Sequence, residues 1–248
     1  MENSEATKVA LVTGASGGIG RQIALRLAED GYDLVVHYNT NESTAQAVVS
    51  EIQSLGRAAY AVQADLSSVE EIRAMFATIK KISQRLDAFI NNAGVPAQGV
   101  PMSETDEEIF DRVFATNTKG TFFALSEAAN LLSDGGRIIN MSSSTTYFPT
   151  ANLAVYTASK AAVKTYTEVL AKEIGSRDIT VNTVSPGPTV PGMFEWAPEE
   201  LRSEAAASSP FNRLGTPDDI SGVISFLASD DARWVSGQQI LVNGGASI

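Results

Sequence analysis

The 248-residue chain has no cysteine and only one histidine, His37. Disulfides and thiolate metal sites are excluded, and so is a metal cluster built on imidazoles. His37 stands near the end of the apolar run DLVVHY and reads as a strand-end residue rather than a general base, which leaves a Ser-His-Asp triad without its histidine. Basic charge is also scarce. Lys and Arg number 18 against 29 Asp and Glu, a net charge of −11, which argues against broad binding to nucleic acid or to a membrane surface. No apolar run is long enough to span a bilayer, and the opening MENSEATK is polar and acidic rather than a signal peptide, so a cytoplasmic location is the default expectation.

What is present is a chain with 44% apolar residues spread throughout, enough for a sizeable core. Short β-rich apolar runs alternate with longer segments of helical period, the pattern of a parallel sheet with crossover helices. Strands are predicted near Val9–Thr13, Asp33–His37, Ala58–Ala64, Ala88–Asn91, Arg137–Ser142, Thr180–Ser185 and Gln239–Val242. Helices are predicted over Ile19–Asp30, Ser43–Leu55, Val69–Ser83, Asp106–Leu131, Leu153–Gly175 and Pro217–Ala228, the last with Thr216 as cap and Asp218 and Asp219 in its first turn. No linker or repeat divides the chain. The expectation is therefore one α/β domain over residues 1–248, doubly wound and Rossmann-like, with a seven-stranded parallel sheet and helices on both faces. The proline-rich stretch of residues 188–210, with a short helical pattern at Glu199–Ala207, is placed where a substrate lid would lie.

Three strand ends carry binding chemistry. After the first comes TGASGGIG, Thr13 to Gly20, where glycines let a backbone approach a pyrophosphate and a helix N-terminus offers its N–H groups. After the third comes Asp65, a short carboxylate able to accept from an adenine amino group, and the fourth ends in NNAG, Asn91 to Gly94. After the second, His37-Tyr38-Asn39-Thr40 has no acid before Glu42; a carboxylate there would repel a 2′-phosphate, so NADP(H) is favoured, with NAD(H) the alternative. Arg21, just inside the first helix, could add charge. Farther along, Tyr156 and Lys160 lie four residues apart and share a helix face. The neighbouring ammonium is expected to lower the phenol pKa and make a proton-transfer pair.

With these residues in place the whole chain resembles the short-chain dehydrogenase/reductase family. Thr13–Gly20, Asp65 and Asn91–Gly94 match its cofactor motifs, and Asn117, Ser143, Tyr156 and Lys160 match its four catalytic positions; Ser143 is preferred over Ser142 and Ser144 because it lies thirteen residues before Tyr156. The closing segment from Arg213 to Gly245 is also similar to the family's. The resemblance implies cofactor contacts at Gly14, Ser16, Gly18, Ile19, Asn39, Thr40, Asp65, Leu66, Asn91, Ala93, Gly94, Tyr156, Lys160, Pro186, Gly187 and Thr189, with no metal. It implies hydride transfer between NADPH and a small-molecule ketone or aldehyde, with Tyr156 as acid, Ser143 on the carbonyl oxygen, Lys160 on the ribose and phenolate, and Asn117 holding a water that connects the lysine to solvent. Pocket walls would come from Val95–Pro101, Tyr147–Leu153, Met193, Phe194 and Trp196. The alternatives are a 3-oxoacyl-[acyl-carrier-protein] reductase and, less favoured, a cofactor sensor without catalysis. A homotetramer or homodimer is also implied. Two departures stand out: Pro191 replaces a threonine common in the family, and Gly17 takes a position that is often Arg in NADP-preferring members.

Overall fold

The computed structural model describes residues 7–96, 99–195 and 197–246. Its strands are β1 (Val9–Val12), β2 (Asp33–Tyr38), β3 (Ala59–Gln63), β4 (Leu86–Asn91), β5 (Leu132–Met141), β6 (Thr180–Pro186) and β7 (Gln239–Val242). All pair in parallel, in the order β3-β2-β1-β4-β5-β6-β7. Helices α1 (Gly18–Glu29), α2 (Glu42–Ser54), α3 (Val69–Ile82), α4 (Glu107–Phe114), α5 (Thr121–Leu131), α6 (Ala154–Ile174), α7 (Glu199–Ala207) and α8 (Pro217–Ala228) connect and flank them.

The strands read as continuous apolar runs because both faces of the sheet are covered. Alternate residues divide between two cores: Ala10, Val12, Leu34, Val36 and Ile90 face one, with Ile23, Leu27, Ile224 and Leu227 of α1 and α8. Leu11, Val35, Phe89, Ile138 and Val181 face the other, with Ile72, Phe76, Leu125 and Ala128 of α3 and α5. The helices begin where the sequence supplies acceptors. Asn41, Ser68 and Asp106 accept from the N–H groups of Thr44, Glu71 and Ile109. At α8, Asp219 accepts from the Thr216 N–H (2.8 Å) and hydroxyl (2.9 Å), the reciprocal half of a capping box.

Most boundaries fall within two residues of those expected. Two do not. The helix predicted over Asp106–Leu131 is interrupted by a π-helical turn, Ala115–Gly120, between α4 and α5. Here the helix runs against the segment after β3: a Cβ on Gly120 would lie 2.1 Å from the Leu66 carbonyl oxygen. The run Thr116-Asn117-Thr118 has low helix propensity and concedes the irregularity. Strand β5 starts at Leu132 rather than Arg137, since Leu132 pairs with Leu86 before a register shift and regular pairing resumes at Arg137. Gly135, at φ +77°, and Gly136 hide that start in the sequence.

The chain winds outward from β1 through β3, then crosses back to β4 beside β1. The connections leaving these two strands diverge, and a crevice opens at their carboxyl ends. Residues 188–210 are tied to the C-terminal part of the chain by a bridge between Thr189 and Gly215. Trp196, one of the expected pocket residues, lies outside the described residues, as do positions 97 and 98.

Candidate active site

The glycine turn is built by close approach. Gly14 adopts φ +64°, and a Cβ there would sit 3.1 Å from Ala93 Cα. A Cβ on Gly20 would lie 2.2 Å from Gly14 O and 2.5 Å from Asn92 Nδ2, so α1 rests directly on the turn. Thr13 joins the ends of β1 and β4: its Oγ1 accepts from the N–H groups of Asn92 (2.9 Å) and Ala93 (3.0 Å), and Asn92 Nδ2 donates to Thr13 O (2.8 Å). Gly17, the N-cap of α1, offers no side-chain acceptor to the first-turn N–H groups, which leaves the positive end of the helix available to an anion.

His37 is nearly inaccessible to solvent and is braced from both nitrogens. Nδ1 accepts from the Gly14 N–H at 3.0 Å, and Nε2 lies 3.0 Å from the Ala64 carbonyl, so the ring is in its Nε2–H form. Burial pushes its pKa down to about 4 against the smaller opposing effect of the Ala64 bond, and the ring is neutral at physiological pH.

An open groove of about 640 Å³ runs across these strand ends. Of the residues singled out in the sequence, Gly14, Ser16, Gly18, Ile19, Asn39, Thr40, Asp65, Leu66, Ala93 and Gly94 line it. Asn91 instead points inward, donating to Thr121 Oγ1 and Asn140 Oδ1 at 3.2 Å each. Pro186 pairs with Val242 at the end of the sheet. Gly187 and Thr189 line a separate pocket of about 250 Å³ beneath α7, and the Thr189 hydroxyl donates to Gly187 O. Arg21 does not reach the groove; it is held in an ion pair with Glu51 at 2.5 Å. The groove also takes in His37, Asn41, Asn92, Thr116, Gly192 and Met193. Asn92 was visible as part of NNAG, whereas Thr116 and Gly192 reach the groove only through the π turn and the tertiary fold.

Beside the groove lies the second cluster. Ser142 and Ser143 follow β5, and their roles separate: Ser142 donates to Lys160 O at 2.9 Å, while Ser143 Oγ accepts from the Thr145 N–H (3.2 Å) and hydroxyl (3.1 Å) and acts on the Tyr156 phenol by lowering its pKa. Lys160 is almost wholly buried and donates to Met141 O at 2.9 Å. Asn117, within the π turn, accepts from the Val95 N–H (2.8 Å) and donates to Val95 O (2.9 Å) and Ser159 Oγ (3.1 Å). The Ser159 hydroxyl donates in turn to Tyr156 O at 2.7 Å. A Cβ on Gly94 would meet both Lys160 Nζ and Asn117 Oδ1 at 3.2 Å, so this glycine is where groove and cluster touch.

The expected lowering of the Tyr156 pKa by Lys160 does not occur. Burial pushes the phenol up to about 12, the Ser143 hydroxyl offsets this only in part, and the Lys160 ammonium donates to Met141 O. Burial alone brings Lys160 down to about 8. The phenol therefore carries its proton at neutral pH.

A family model described as enoyl-(acyl carrier protein) reductase matches residues 14–247. The chain is similar to a short-chain type dehydrogenase/reductase from Picea abies, 42% identical over 248 residues, with 96% of this chain and 92% of the relative covered. It is similar also to a 3-oxoacyl-[acyl-carrier-protein] reductase from Staphylococcus aureus, 41% identical over 241 residues, with 96% of this chain and 98% of the relative covered. Among solved structures, an angucycline C-6 ketoreductase with bound NADP superposes with a TM-score of 0.91 at 39% identity, over 96% of this chain and 95% of that one.

Proposed function

The chain belongs to the short-chain dehydrogenase/reductase family, and on that premise we propose that it is an NADPH-dependent carbonyl reductase converting a ketone or aldehyde to an alcohol. The observation that carries this is the meeting, at Gly94, of a glycine-lined groove with the Ser143–Tyr156–Lys160 cluster. The groove fits a dinucleotide on its own terms. The α1 N-terminus has no side-chain cap, Gly14 and Gly20 leave no space for a Cβ, and no carboxylate lies between His37 and Asn41 to repel a 2′-phosphate.

When bound, the cofactor supplies the hydride. The first-turn N–H groups of α1 would hold its pyrophosphate, Asp65 would accept from the adenine amino group, and Lys160 would hold the ribose hydroxyls. Ser143 donates a hydrogen bond to the substrate carbonyl oxygen, which gains charge as the carbon is reduced. Tyr156 gives that oxygen its proton, and the neighbouring Ser143 hydroxyl favours the phenolate left behind. The water-holding part implied for Asn117 has competition in this structure, because its side-chain amide is committed to Val95 and Ser159. That arrangement favours a part in holding the loop and helix around Tyr156. Residues 188–210 serve as the substrate lid, a reading supported by Gly192 and Met193 at the groove wall.

The NADP(H) preference is supported by the neutral residues Asn39, Thr40 and Asn41 at the groove and by the NADP bound in the angucycline ketoreductase. NADPH is expected to exceed NADH in kcat/KM by at least about tenfold, a transition-state difference of about 1.4 kcal/mol. A preference for NADH overturns the assignment.

The Staphylococcus aureus relative favours a second substrate, a 3-oxoacyl thioester on a carrier protein. Against it stands charge. The carrier is acidic, whereas Arg137 of β5 is buried against Asp230 and Arg177 is paired with Asp134, so neither offers a free basic docking point. Simple ketones and aldehydes are thus expected to be turned over in a panel followed at the NADPH absorbance. Efficient reduction of an acetoacetyl-carrier thioester with neglect of simple ketones reverses the ranking, and no turnover of anything favours a sensor.

Self-association is supported by Phe110, Phe122 and Val169, apolar side chains left about half exposed on α4, α5 and α6. Light scattering is expected to give a dimer or tetramer mass, lowered by Phe122→Glu; a monomeric parent refutes the assembly.

A further inference from the structure

We infer that His37 is a positioning residue for the cofactor's phosphates, its imidazole Nδ1 holding the Gly14 amide so that the turn presents its later N–H groups to the ligand. The inference rests on the dinucleotide reading of the groove.

Two successive amides of the turn are fixed by this one residue. The Gly14 N–H donates to the His37 ring at 3.0 Å, and the Ala15 N–H donates to the His37 main-chain oxygen at 2.9 Å. Beyond them, the amides of Ser16 through Gly20 make no main-chain bond outside the helix among the described residues. The turn is thus divided into an anchored half and an offered half, and His37 sets the division. Any strand-end residue could supply the main-chain oxygen. Only a side chain with an acceptor at the Nδ1 place can hold the Gly14 N–H, which has no main-chain acceptor among the described residues. The other nitrogen grips Ala64 O, next to Asp65, so one ring links the phosphate turn to the adenine-side strand end.

The two bonds can be removed separately. The Asn side-chain oxygen takes the place of the imidazole Nδ1, and the Gln side-chain nitrogen takes that of Nε2. His37→Asn keeps the acceptor for Gly14 and loses the Ala64 bond; His37→Gln keeps the Ala64 bond and leaves the Gly14 N–H without a partner. Titration of each purified protein with NADPH, followed by the cofactor's fluorescence, is expected to give a Kd within about threefold of the parent for His37→Asn. For His37→Gln the Kd should rise about tenfold or more. For His37→Gln the change should fall on the KM for NADPH more than on kcat, because neither bond touches Tyr156 or Lys160.

Loss of folding by His37→Gln while His37→Asn binds normally also supports the inference, since Gly14 is then the indispensable partner. Equal affinity in both variants overturns it, as does a weaker or unfolded His37→Asn. If the parent binds neither NADPH nor NADH, the dinucleotide reading itself fails and the inference with it.

Discussion

Tyr156→Phe is expected to reduce turnover by about 10²–10⁴-fold, the usual range for removing a positioned general acid. NADPH affinity should stay within about threefold. Phenylalanine keeps the ring and its packing against the Val113–Val155 cluster, so the change deletes little more than a hydroxyl and its proton. It leaves the Ser142 bond to Lys160 O and the Lys160 bond to Met141 O untouched. Because burial holds the phenol near 12, nearly every parent molecule carries that proton at neutral pH. Single-turnover kinetics with saturating cofactor and the best ketone of the panel would measure the loss. A rate within tenfold of the parent removes Tyr156 from the mechanism.

Gly20→Ala should damage binding from the opposite end of the site. The added Cβ would have to occupy space 2.2 Å from Gly14 O and 2.5 Å from Asn92 Nδ2. The first obstacle is backbone, and the second side chain is already held by Thr13 O, so neither can yield without loosening the turn. Overpacking of this kind costs about 1–3 kcal/mol, which in a chain of this size lowers the melting temperature by about 3–10 °C. The Kd for NADPH should rise by at least about tenfold as the turn shifts. Gly17→Ala is the matched control: it has open space around the added carbon and an extended φ of −170°, and its melting temperature should change by less than about 2 °C. Equal melting temperatures and equal affinities for Gly20→Ala and the parent would show that the turn accommodates a methyl group.

What could be read in the sequence was what sequence neighbours decide. TGASGGIG, NNAG and the Tyr156–Lys160 spacing are local patterns, and the alternating apolar runs announce the sheet because burial on two faces leaves no room for polar residues. The link between Ser143 and Tyr156 required the family resemblance, since periodicity says nothing of how a strand end meets a helix. The Tyr156 pKa was misjudged because burial of the phenol, invisible to helical spacing, sets it. His37 reads as a strand-end residue until its ring is seen to reach Gly14 and Ala64, which are 23 and 27 residues distant. The break at Ala115–Gly120 was hidden for another reason: its cause, contact with Leu66 O, lies on a different element.

That break makes the number of residues in the segment a determinant of the site, independently of their identities. A π turn takes more residues to close than an α turn, and the surplus sets how α4 is rotated about its axis relative to α5. Removing one residue from Ala115–Gly120 would let regular α-helical bonds form and would improve the helix as a helix. It would also turn α4 by about 100°. Val113 would swing from its place against Val155 and Tyr156, and Asn117 would lose its alignment with Val95. A shorter, locally more stable helix would thus yield a worse enzyme, and variation in this stretch is constrained to exchange residues without deleting them.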